Sequence, residues 1–320
     1  MNPSTNADMY NVAVGYQASL AITTGIQNVV VGGLAADALT EGNYNVALGT
    51  GALSTDTLGS LNTAIGHSTL NTQNFASATD SANTAVGAFA GDKITTGQIN
   101  TAMGYLALSK CTTGSSNVAI GYDTLGELTT VSDNTAVGYA ALQASTSGTG
   151  LAAFGKGALR ANTTGNGNTA VGQNALLANT TGGDNVALGA NALDSNTTAN
   201  DNVAIGRYAL QAATTNADNV AVGSSALYNN TGHSNTAVGR SSSLANTSGV
   251  RNTSVGMNSL LQNTTASDNT ALGYASLQQN TTGSNNTAVG HDALLNNTTA
   301  INNTAVGYGT LETNTTGANN

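Results

Sequence analysis

One cysteine, one proline and no tryptophan occur in 320 residues. Cys111 has no partner in the chain, so no intrachain disulfide framework exists. It stands where most repeats carry Asn and reads as an incidental small residue, with a reactive thiol as the alternative. Charged residues make up 7%, against roughly 25% in an ordinary soluble domain. Only seven are Lys or Arg, within a net charge of −9. No basic stripe can neutralise phosphates, which excludes a nucleic-acid binder. No apolar run reaches the roughly 18 residues of a membrane-spanning helix. The opening MNPSTNADMYN lacks the basic and apolar regions of a secretory signal. No HxH, CxxC or HExxH spacing occurs, so no transition-metal centre is expected. Nor does any nucleophile sit beside a base in a motif that implies catalysis. The chain is therefore expected not to be an enzyme and to need no cofactor, with Ca²⁺ the one candidate discussed below.

What the chain has is a repeat. Eighteen glycines, from Gly15 to Gly307, recur with a spacing of 17 residues in fifteen of seventeen intervals. The exceptions are 21 residues from Gly66 to Gly87 and 16 from Gly223 to Gly239. The idealised unit reads N-[TV]-A-[VIL]-G-x-x-A-L-x-x-N-T-T-G-x-x. A repeat this short implies a solenoid in which one unit is one coil and each coil touches its neighbours. The expected fold is all-β: a parallel β-solenoid (β-roll) of about eighteen coils, assembled as a homotrimeric fibre. Residues 1–320 read as one domain. Coils in 1–91 are less regular, with an insertion near 71–80, and those in 92–320 are regular. Asn320 falls 13 residues after Gly307, in mid-pattern, so a piece of a longer protein is expected.

The unit dictates a coil. N-T-A-V-G alternates as a strand does, placing Thr or Val and the pre-glycine residue on one face, and Ala with the leading Asn on the other. Ala occupies its position in sixteen units, with Val30 and Ser254 the exceptions. Near-fixed volume suggests that Ala faces the cramped interior. The pre-glycine Val, Ile, Leu, Met or Phe then faces a partner copy around a symmetry axis; the opposite assignment of faces stays open. The invariant glycine implies positive φ or a corner too tight for a β-carbon. Gly104, Gly121, Gly138, Gly155, Gly172, Gly189, Gly206 and Gly223 are its most regular run. Leu follows four residues later in fourteen of eighteen units, and a second strand is expected there. N-T-T-G then forms the second turn.

The motif NTAVG (Asn83 to Gly87, Asn134 to Gly138, Asn168 to Gly172, Asn286 to Gly290), followed by AL and NTTG, resembles the repeat regions of bacteriophage and other viral tail fibres. It is also similar to the β-roll head repeats of trimeric autotransporter adhesins. The resemblance covers essentially the whole chain and implies a structural fibre shaft that holds a receptor-binding tip. It places the protein on a virion tail fibre or another extracellular surface appendage. Two further readings are an adhesin that contacts host surface glycan and a subunit of a self-assembling extracellular filament. The partner common to these is another copy of the chain. The signal peptide, coiled-coil stalk and membrane anchor of an adhesin do not occur in the sequence, nor does a self-cleaving fibre chaperone.

Two columns of side chains suggest ligands. Tyr105, Tyr122 and Tyr139 each follow a repeat glycine. They either contact glycan or stabilise successive coils by ring stacking. Asp184, Asp201 and Asp218 lie 17 apart, each just before a leading Asn. Carboxylates about 4.8 Å apart repel. They are either a Ca²⁺ ladder or solvated turn residues. N-x-[ST] triplets at Asn162, Asn179, Asn196, Asn263, Asn280, Asn297 and Asn314 follow from the NTT turn and read as turn chemistry rather than glycan acceptors.

Overall fold

A computed structural model describes residues 9–320. Pro3 and most of the N-terminal segment read above lie outside the described residues. The chain divides into two compact units, Met1–Thr164 and Gly165–Asn320. Each is a parallel β-solenoid, and no helix occurs among the described residues. The division falls within the stretch 92–320 that reads as uniform in sequence.

The first unit carries nine three-residue strands, from Val12–Val14 to Ala152–Phe154. The second carries nine more, from Thr169–Val171 to Thr304–Val306. Each strand pairs in parallel with the same positions of its neighbour: Thr169 opposes Val186, Ala170 opposes Ala187, and Val171 opposes Leu188. The register survives both irregular spacings. Ile65 opposes Val86 across the 21-residue interval, and Val222 opposes Val238 across the 16-residue one. Most of the extra residues at 74–80 lie exposed, while Phe75 is buried and Thr79–Asp80 pairs with Gly59–Ser60.

The central residue of every three-residue strand but the first is buried, and it is Ala in all but Val30 and Ser254; Ala13 of the first strand is half-buried, and the residues on either side are half-buried or exposed. Ala therefore lines the coil interior, as its constant volume suggested. The Leu four residues after the glycine fills the rest of the core: Leu108, Leu176, Leu193 and Leu277 are fully buried.

The expected second strand is absent, and this corrects the sequence reading. Apart from the short pair Gly59–Ser60 and Thr79–Asp80, each coil has one strand. The cause is conformational. Asn174 and Leu176 have φ of +57° and +52°, and equivalent coils repeat this. Two left-handed residues one apart curl the chain where a strand would extend it. The coils still stack there through backbone hydrogen bonds, such as Leu176 N–H to Ala192 O at 3.0 Å and Ala178 N–H to Asp194 O at 3.0 Å.

The repeat glycines meet both conditions anticipated for them. Those from Gly104 to Gly223 have φ between +131° and +140°. A β-carbon at Gly189 would lie 2.6 Å from the carbonyl carbon and oxygen of Gly206. Gly172 contacts Gly189 in the same manner, so the glycines are axial neighbours.

Candidate functional site

Successive coils turn single residues into columns, and every candidate feature of this protein is such a column. Two are internal and made of asparagine. The leading Asn is buried in every coil that carries one except the first, where Asn11 is half-buried; in one coil Leu151 takes its place. The Oδ1 of one leading Asn accepts the backbone N–H of the next: Asn185 to Asn168 at 3.0 Å, Asn202 to Asn185 at 3.1 Å, Asn219 to Asn202 at 3.0 Å. In most coils its Nδ2 donates to a carbonyl 14 residues on, as Asn185 does to Ala199 O at 2.8 Å, while the Asn269 Nδ2 is buried without a partner. Asparagine is the residue for this place because its amide both accepts and donates. A buried polar group without such partners would be costly.

The second internal column is the Asn of NTT. Asn196 Nδ2 donates to Asn179 Oδ1 at 2.8 Å, Asn263 to Asn246 at 2.6 Å, and Asn297 to Asn280 at 2.9 Å. Each also caps its own turn, as in Asn179 Nδ2 to Gly182 O at 2.9 Å. The turn chemistry read from the sequence is present. What the sequence did not reveal is that these side chains are core residues. The one available signal was their 17-residue recurrence in phase with Leu. Where the column carries Ala213, the Oδ1 of Asn196 is buried without a partner. In the first unit the column changes character to Leu39, Ile94, Cys111 and Leu128, all fully buried. Burial pushes the Cys111 thiol up to about 11, which fits the small-residue reading and leaves almost no thiolate near neutrality.

Asp56 and Gln73 interrupt that apolar stretch. Asp56 is fully buried. Its Oδ1 accepts the Gly59 N–H at 2.9 Å, and its Oδ2 accepts from Gln73 Nε2 at 2.7 Å. Gln73 also accepts from Asn83 Nδ2 at 2.9 Å. Burial raises the Asp56 carboxyl above its ordinary value, and the Gln73 and backbone hydrogen bonds only partly oppose this.

The outer columns carry the residues singled out in the sequence. Tyr105, Tyr122 and Tyr139 stack, with ring centroids 5.7 and 5.2 Å apart and interplanar angles of 26° and 8°. Phe89 meets Tyr105 edge-on at 6.1 Å, and Lys156 Nζ lies 6.0 Å from the Tyr139 centroid. Tyr122 is thus faced by a ring on both sides, which leaves its edge and hydroxyl to solvent. Such contacts stabilise adjacent coils. A second stack runs Tyr274–His291–Tyr308, at 4.8 and 5.2 Å.

Asp184, Asp201 and Asp218 are exposed and have φ of +56°, +57° and +63°. The same position holds Ser234, Asn285 and Asn302, also left-handed. Asp and Asn tolerate that conformation better than most residues, so the corner accounts for their presence. Among the described residues no three His, Cys, Asp or Glu side chains converge as a metal site. Asp268, at the same position, takes a two-pronged ion pair from Arg251 at 2.7 and 2.9 Å, and this holds its carboxyl below the ordinary value.

The remaining columns flank the buried Ala of the strand. Thr or Val (Ala152 in one coil) stands on one side of it and Val, Ile, Leu, Met or Phe on the other, with no charged residue in either column. Met103, Phe154 and Leu188 are 40%, 41% and 45% exposed. These are large apolar side chains on an uncovered sheet face.

No protein-family model matches the sequence, and no curated protein matches it.

Proposed function

We propose that the chain is a structural shaft of a tail fibre or similar surface appendage, with copies packed against one another through the outer strand face. The observation that carries this reading is the pair of uncharged, largely apolar columns beside the buried Ala. Soluble monomers rarely leave a long contiguous apolar patch in water. A strand with apolar residues on both faces is one meant for burial on both. The varied size of the pre-glycine side chains suits packing around an axis, and three copies is the simplest closed arrangement. Neutral polar Asn, Thr and Ser on the other surfaces fit a shaft that resists unwanted association.

The test is the solution mass of the whole chain, by light scattering and sedimentation, for the native protein and for Val222→Asp/Val238→Asp/Val255→Asp. A discrete native trimer that the triple substitution dissociates or unfolds is the expected outcome. A native monomer, or a variant of unchanged mass and stability, refutes the shared face. Indefinite native polymers would favour the filament-subunit reading.

A further inference from the structure

Each strand lies between two corners, and the side chains on those corners are sorted by charge. One corner is the position just before the leading Asn, and the other is the position just after the repeat glycine. The first carries Asp133, Asp184, Asp201, Asp218 and Asp268 but a single cation, Arg251, which Asp268 already binds. The second carries Lys156, Arg207 and Arg240 and no acid in any coil. In the second unit, Arg207, Arg240 and Arg251 are all the Lys and Arg there is. Left-handed backbone explains Asp, Asn or Ser at the first corner. It does not explain why the second has no acid. Asp184, Asp201, Asp218, Arg207 and Arg240 are exposed, and none is in an ion pair among the described residues.

The first unit sorts its corners by another chemistry. Leu61 and Ile99, at the first corner, hold left-handed φ of +64° and +58°, and Ile99 is 62% exposed. That backbone is costliest for a β-branched side chain, and Ile99 has little burial within the chain to offset it. At the second corner of the same two coils stand His67 and Tyr105. An apolar corner is thus matched by an aromatic one, as Asp201 is matched by Arg207 in its own coil. No coil carries like charges at both corners.

We propose that the first corner of one copy docks on the second corner of another, each coil against the same coil, so that Asp201 meets Arg207, and Ile99 meets Tyr105, of a second copy. This rests on the reading that copies share the outer strand face, and adds which edges meet and how they align. On a shared face, unlike corners meet only if the copies run parallel. An antiparallel pair about a two-fold axis across the stack would set the corner of Asp184, Asp201 and Asp218 against itself. The charges select orientation and alignment more than they add strength, since one exposed pair is worth little.

The experiment is charge reversal in the full chain, read as the dissociation constant of the assembly by sedimentation over a dilution series. Asp201→Arg and Arg207→Asp should each raise that constant about tenfold or more, by setting like charges together. Arg is accommodated at the first corner, where Arg251 already holds φ of +54°. Both changes in one chain should restore the native constant. Asp201→Arg/Arg240→Asp, with the reversed charge two coils out of line, should not. An equal mixture of the two single variants should associate more tightly than either alone, because each supplies the charge that the other lacks. The mixture also reports on a variant that folds poorly by itself. A native monomer overturns the shared face, and this inference with it. A native oligomer overturns the inference alone if the single reversals leave it unchanged, if Arg207→Asp tightens it, or if the double reversal fails to restore it.

Discussion

Backbone conformation dominates at the scale of single residues. Leu176 is held left-handed, which costs about 1–2 kcal/mol, and its burial returns roughly 1.5–3 kcal/mol. A large side chain in a disfavoured conformation is thus stable only because the core lies beneath it. Gly189 has no such latitude. Gly189→Ala adds a β-carbon 2.6 Å from the Gly206 carbonyl and should lower stability by more than the roughly 1–3 kcal/mol of a strained residue alone. Asp201→Gly, at an open left-handed corner, should be neutral or slightly stabilising. Urea midpoints of the two variants separate these cases. Asp56 gives a pH signature. Its carboxyl is raised in the folded state from an ordinary 3.8, so the native protein binds the extra proton. Its contribution to stability is therefore fully present below about 3.8 and is lost as pH rises through the folded value. The urea midpoint of Asp56→Asn should lack that decline. The Asp268 pair runs the opposite way and is common to both proteins, so the difference between the two curves isolates Asp56.

Coils obey a rule of vertical pairing. Most buried amides are satisfied by the coil before and the coil after, and the gap at Ala213 leaves a group stranded. Ala213→Asn would give Asn196 Oδ1 its missing donor. The expected gain is about 1 kcal/mol, read as a higher midpoint in thermal or urea unfolding. Asn202→Ala should do the reverse, stranding the Asn219 N–H that its Oδ1 now accepts, at about 1–3 kcal/mol, while the Asn216 carbonyl keeps the Asn219 amide as a donor. Much of the coil was legible beforehand. The glycine column, the parallel register and the inward Ala follow from spacing, alternation and constant volume. The second strand was misread, because A-L between two turns looks extended in sequence. Nothing in a leucine announces positive φ, which is imposed by stacking on neighbouring coils. The asparagine columns were half legible: their turn role follows from residue type, while their burial depends on which way a tight corner points.

For the molecule as a whole, the open question is how the apolar columns are covered. If copies associate through them, folding and association are linked, and the melting temperature must rise with protein concentration. Val222→Asp/Val238→Asp/Val255→Asp should remove that dependence and lower the melting temperature at every concentration. A melting temperature that is independent of concentration in the native protein would mean that the face is not an interface.

The buried NTT asparagines bear on how the protein can be made. Asn179, Asn196, Asn263, Asn280 and Asn297 each open an N-x-Thr triplet, and each is wholly enclosed by its coil. In a eukaryotic secretory pathway, oligosaccharide is attached to such triplets while the chain is still extended. A branched sugar there leaves no room for the coil to close. Modification and folding are then competing fates, decided by whichever comes first. Secreted material should separate into a compact unmodified fraction and an open modified one, whereas a bacterial cytoplasm should yield the compact form alone.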